Sequence, residues 1–164
     1  MSVIDFKILI PEDQTLMETI AEWYYDEWSI PYEKSILKLK AIANDHSQFQ
    51  VVILQNSNPV ATGGVYHQVG LLELQPRFNI HKHWLALVYT LPTMRKQGLG
   101  GKLCNYLEAL AKDRGIREIH LFTDTAVSLY RQLGWSEMEV VEYGSRRVTV
   151  MKKATGSIED EITV

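Results

Sequence analysis

Arg95-Lys96-Gln97-Gly98-Leu99-Gly100-Gly101 decides how this chain is read. It follows a nearly continuous apolar run, Trp84-Leu85-Ala86-Leu87-Val88-Tyr89, as expected of a strand buried on both faces. It precedes Leu99, Leu103, Tyr106, Leu107 and Leu110, a helix stripe that ends near Gly115. A glycine-rich start to a helix is an anion cradle, because its first N–H groups point outward and the helix dipole favours negative charge there. Glycines let a phosphate reach the main chain, and Arg95 and Lys96 add positive charge. The spacing Arg-x-x-Gly-x-Gly alone arises by chance in roughly one chain of this length in 25. Its surroundings therefore have to give it meaning.

Two common phosphate loops do not fit. A P-loop needs Gly at 96 and Ser or Thr at 103, whereas the chain has Lys96 and Leu103. A dinucleotide fingerprint needs its glycines directly after the strand and an acid ending the next one. Here Thr93–Gln97 intervene, and Glu118 begins its strand.

Outward from this centre, elements alternate. A strand at Asp5–Ile10 is followed by a helix carrying Leu16, Ile20, Trp23, Tyr24 and Trp28, then by a second helix from Glu33 to about Asn44. Phe49–Gln55 and Val60–His67 read as strands joined by the turn residues Asn56–Pro59. Val69–His83 reads as a strand end and a long loop, a fitting place for a substrate rim. Ile119–Phe122 is a short strand, Val127–Leu133 a short helix, and Val140–Tyr143 with Val148–Met151 a hairpin across Gly144–Arg147. The order β-α-α-β-β-β-α-β-α-β-β describes a mixed α/β domain on one central sheet. Residues 1–153 are expected to form that domain, and 154–164 a poorly ordered acidic tail.

The segment around Gly98 resembles motif A of the GNAT superfamily of acyl-CoA N-acyltransferases, Arg/Gln-x-x-Gly-x-Gly/Ala after a splayed strand. Leu121-Phe122-Thr123, Ala126, Leu129-Tyr130 and Leu133-Gly134-Trp135 are similar to the family's motif B. Two motifs in order, on matching elements, make coincidence a poor account. The resemblance implies a mixed, mostly antiparallel sheet of six to seven strands with a splayed central pair, flanked by about four helices. It implies acetyl-CoA as acyl donor, with Val88, Tyr89 and Thr90 pairing with the pantetheine arm. Arg95, Lys96, Gln97, Gly98, Leu99, Gly100 and Gly101 would hold the pyrophosphate, and Tyr130 would protonate the leaving thiolate. Thr123 stands where many members carry Asn, a departure at a position that contacts the cofactor.

The chemistry sets further demands. An alkyl amine with a pKa near 10.4 is only about 0.04% neutral at pH 7, so a base must serve the acceptor. Glu73 is the first expectation, with His67 and His83 in reserve. His81-x-His83 lacks Cys or acidic neighbours in sequence, so no metal is expected. Cys104 falls on the buried side of its helix and reads as a core residue. Trp23, Tyr24, Tyr25, Trp28 and Tyr32, with Asp26 and Glu27 among them, suit core packing on one side and a pocket for a cationic amine on the other.

Composition narrows the classes. The chain has 164 residues, a formal charge of −3 and one cysteine. That excludes a strongly basic nucleic-acid footprint and an internal disulfide, and no apolar run is long enough to span a membrane. A cytoplasmic setting is expected, with an amine acceptor as the partner; assembly is open, a homodimer included. The competing class is an acyl-CoA sensor that keeps the cradle without turnover.

Overall fold

A computed structural model describes residues 3–156. The elements are β1 (Ile4–Ile8), α1 (Gln14–Trp28), α2 (Tyr32–Ala43), β2 (Phe49–Gln55), β3 (Asn58–Tyr66), α3 (Leu71–Leu74), β4 (Trp84–Thr90), α4 (Leu99–Asp113), β5 (Glu118–Thr123), α5 (Val127–Gln132), β6 (Ser136–Tyr143) and β7 (Arg146–Ala154). Short 3-10 turns occupy Pro76–Ile80 and Pro92–Met94. The seven strands follow the order β1-β2-β3-β4-β5-β7-β6. β4 and β5 run parallel and are registered at the Cα pair Trp84 with His120.

Contacts divide the chain into two compact units, the first reaching Val65 and including Leu87–Leu107, the second taking Tyr66–Ala86 and the chain from Glu108. In the first unit, α1 and α2 bury Met17, Ile20, Tyr24, Ile36 and Leu39 with Val52 and Tyr89. The other sheet face meets α4, where Tyr106 stacks on Phe6 at 4.5 Å. A Cβ on Gly63 would lie 3.1 Å from Val88 Cγ2 and 3.3 Å from Leu103 Cδ2, so β3 needs its glycine to sit this close to β4 and α4.

A buried polar chain fixes the shape of β4. Leu87 has φ 53, a left-handed residue inside a strand, which bends β4 as a bulge does. The Tyr24 hydroxyl donates to Leu87 O at 2.7 Å and accepts from Gln50 Nε2 at 3.0 Å. Gln50 Nε2 also donates to Thr62 Oγ1 at 2.8 Å, and that hydroxyl donates to Val51 O at 2.8 Å. Tyr24, Gln50 and Thr62 are all at most 2% exposed, so each lost bond would strand a buried polar group. Tyr24→Phe is expected to lower stability by about 1–3 kcal/mol in urea denaturation. A change below about 0.5 kcal/mol would mean that the chain does not hold the bend.

In the second unit, Trp84 is fully buried and its indole donates to His81 O at 2.8 Å. Gln75 Nε2 donates to Glu142 O at 3.0 Å, and Arg77 pairs with Glu139. Lys153 Nζ sits 2.7 Å from Glu108 and donates to Leu133 O at 2.6 Å, closing the end of α5.

Three expectations need correction. Residues 69–83 form α3 and a 3-10 turn rather than a strand end and loop, which brings the α-helices to five among the described residues. The β2–β3 turn is only Asn56 and Ser57, both at positive φ, as two-residue hairpins require. The terminal hairpin turns on Gly144 and Ser145 alone, because cross-strand pairing continues to Tyr143 and Arg146. Ala154 ends β7, and the Thr155 hydroxyl donates to Ile116 O at 2.6 Å. Residues 157–164 of the expected tail lie outside the described residues.

Candidate active site

The predicted cradle is where the first unit opens. After β4 the chain turns through Pro92–Met94, and Arg95 to Gly98 are all exposed. Lys96 and Gly98 both take positive φ, 66° and 80°. Leu99, buried, anchors the first turn of α4. Lys102 N donates to Gly98 O at 3.1 Å, whereas the N–H groups of Gln97 to Gly101 make no hydrogen bond among the described residues. A Cβ on Gly98 or on Gly100 would meet nothing within 4 Å. Gly98 is explained by its own dihedral, but Gly100 is not. A glycine inside a helix costs about 0.5–1 kcal/mol relative to alanine, and neither its backbone nor any neighbour requires it. Free amides facing open space over such a glycine fit a phosphate that must come close.

Arg95 has partners within its own unit. Its Nε donates to Thr90 O at 2.9 Å, and its guanidinium lies 3.5 Å from Glu27 and 5.5 Å from the Tyr89 ring centre. Arg95 thus ties the end of β4 to the last turn of α1. An exposed ion pair of this kind is worth at most about 1 kcal/mol, so an arriving diphosphate would compete for it readily.

Val88 and Thr90 are half-buried on β4, and Tyr89 is buried between them. The Tyr89 ring stands 5.2 Å from Trp23 and 6.1 Å from Trp28. Burial pushes its phenol up, against the pull of Arg95 and with the push of Glu27 and Asp26. The aromatic set predicted on α1 divides as a two-sided helix should. Tyr24 is core, whereas Tyr25 and Trp28 are exposed. Glu18, Glu22 and Asp26 recur every fourth residue along the same helix, which carries no Lys or Arg. Tyr32 is held above the usual phenol range by desolvation and then by Glu18, Glu22 and Glu33, so these acids converge on one patch.

The architecture and these motifs can be set beside known proteins. Residues 14–135 match the family model described as Acetyltransferase (GNAT) family. The chain belongs to the GNAT acetyltransferase family. It is accordingly an acyl-CoA-dependent N-acyltransferase. An aminoglycoside 6'-N-acetyltransferase solved with coenzyme A is similar in fold, with TM-score 0.76, 17% identity, and 93% of this chain and 98% of that one covered. The aminoglycoside 6'-N-acetyltransferase of Enterococcus faecium superposes with TM-score 0.71 at 17% identity, over 93% and 98% of the two chains. A Salmonella typhimurium protein solved with its cofactor acetyl-CoA reaches 0.68 at 13%, over 94% and 95%. No match was found among curated protein sequences. Among the described residues, no helix is long and apolar enough to cross a membrane.

The remaining predicted residues of this GNAT chain lie in its second unit. Thr123 Oγ1 accepts from Ala126 N at 3.1 Å, so Thr123 serves the turn into α5. Tyr130 is half-buried on α5, its ring edge-on to Trp135 at 6.0 Å. Glu73 is exposed on α3. The two histidines held in reserve form a pair, His67 and His83, with ring centres 5.2 Å apart. Burial and then His67 hold His83 below the usual imidazole range.

The sequence reading missed the left-handed Leu87 and the polar chain beneath it. Gln50 inside the apolar run Phe49–Leu54 was the available signal, since a polar residue in a two-sided buried strand needs a partner.

Proposed function

We propose that this GNAT enzyme transfers the acetyl group of acetyl-CoA to a primary amine on a polycationic acceptor, by direct attack. The observation that carries the donor side is Gly100, a helical glycine with no internal reason, set among unpaired amides. The acceptor side rests on the acid stripe Glu18, Glu22 and Asp26 beside exposed Tyr25 and Trp28. Such a surface attracts cations over several ångströms and offers aromatic faces for them. Aminoglycosides, named for two of the structural neighbours, have this chemistry.

In this reading the cradle amides and Lys96 hold the diphosphate, and the bent β4 from Val88 to Thr90 positions the acyl arm. The neutral amine attacks the thioester carbon, the carbon–sulfur bond breaks, and Tyr130 gives its phenolic proton to the departing sulfur. The proton lost by the amine leaves through water to Glu73. As an exposed carboxylate, Glu73 is weakly positioned, so Glu73→Gln is expected to cost about tenfold in turnover, less than the hundredfold or more of a well-placed base. An unchanged rate would remove Glu73 from the proton path.

The acceptor class is tested by free-thiol release with polyamines, aminoglycosides and neutral amino acids. Polycations are expected to give the highest kcat/KM, with KM rising as salt is added. A preference for uncharged amines, or no salt effect, would overturn the acceptor assignment.

A further inference from the structure

In the second unit a histidine stands inside an apolar strand, Glu118-Ile119-His120-Leu121-Phe122. Residues two apart on a strand share a face, so Glu118 and His120 project together. His81, just before β4, stacks its ring on His120 with centres 3.8 Å apart. His120 is 2% exposed, and its Nε2 is buried with no hydrogen-bond partner. The nearest acid, Glu118 Oε1, is 3.6 Å away, too far for a hydrogen bond. A buried imidazole with an unused nitrogen, beside a second imidazole and a carboxylate, is a set of metal donors.

We infer that His81, Glu118 and His120 bind one divalent transition-metal ion, Zn²⁺ by the donor set. One ligand atom from each residue lies within 4.8 Å of the other two. Around zinc, bonds of about 2.0–2.2 Å bring tetrahedral donors to roughly 3.4 Å, so the set must contract by about an ångström. The partners are suited to that movement. The main chain of buried His120 is held by its amide N–H to His83 O at 3.0 Å, while the half-buried ring of His81 and the exposed carboxylate of Glu118 can turn toward it. The main chain at His81 is held by the Trp84 indole and by its own N–H to Phe78 O at 3.0 Å. Three protein ligands leave a fourth position for water. Lys152, registered opposite His120 on β7, is the one opposing charge among the groups acting on His120, and it is exposed to screening. The sequence hid this set because its second histidine and its acid lie some forty residues beyond His81 and meet it only through the β4–β5 pairing.

The test is calorimetric titration of chelator-stripped protein with ZnCl₂, with melting temperature measured alongside. One zinc per chain and a rise in melting temperature are expected. His81→Asn, at a half-buried position, and Glu118→Gln, at an exposed one, should each weaken binding at least tenfold while circular dichroism stays unchanged. The His67→Asn/His83→Asn double variant should bind as the parent does. Absence of saturable binding, undiminished affinity in His81→Asn and Glu118→Gln, or loss of binding in the His67/His83 variant would each overturn the assignment.

Discussion

Gly100→Val protein should fold, melt no lower than the parent, and lose acetyl-CoA binding by about 10²–10⁴-fold. Replacing a helical glycine by any residue with a side chain relieves part of a backbone cost, here without collision, because the space over Gly100 is open. The same side chain fills the path by which a phosphate reaches the unpaired amides of Gln97 to Gly101. Losing two charge-assisted hydrogen bonds at about 1.5–3 kcal/mol each gives that range. At a cofactor concentration of about 100 Kd for the parent, stabilisation of about 2.7 kcal/mol raises the melting temperature by roughly 5–10 °C. A hundredfold weaker variant would retain about 0.4 kcal/mol, near 1 °C. Stability and binding therefore move in opposite directions, which a packing defect cannot do. Gly98→Val is the poorer probe, since φ of 80° strains any side chain there. A Gly100→Val protein with parental acetyl-CoA affinity would remove the cradle from the donor site.

Tyr130→Phe should reduce turnover by about 10–10³-fold while leaving acetyl-CoA affinity and melting temperature nearly unchanged. The substitution deletes the proton donor and keeps the ring that meets Trp135 at 6.0 Å. The loss should shrink for a thioester whose thiol is more acidic, because that thiolate departs with less help. A stable, fully active variant would take Tyr130 out of the reaction, and a destabilised one active per folded molecule would make it a packing residue.

How far the sequence carried depended on whether a feature was local. The stripe Leu99, Leu103 and Leu107 and the turn residues around it defined α4 and its glycine cradle, because period and capping are written in neighbouring residues. Leu71–Leu74 was not legible, since four residues are too few to show a helical period. Nor was the bend at Leu87, whose cause lies in Tyr24, Gln50 and Thr62 on three other elements. Arg95 was read as a cation of the phosphate loop, and its ion pair with Glu27, 68 positions earlier on α1, was not visible. Patterns in sequence report what a residue's own element demands, and non-local polar partners stay hidden until the topology joins them.

We propose that this GNAT chain acetylates an amine of a polycationic acceptor from acetyl-CoA held at the Gly98–Gly100 cradle. Its most direct test follows free CoA thiol and the mass of the amine in one reaction, for the parent and for Gly100→Val. Expected are one N-acetylated amine for each CoA released by the parent, no release without amine, and, at an acetyl-CoA concentration near the parental Kd, at least about fiftyfold less of both products from the variant. Acetyl-CoA bound by the parent with no amine acetylated across the panel, or equal acetylation by Gly100→Val, would contradict it.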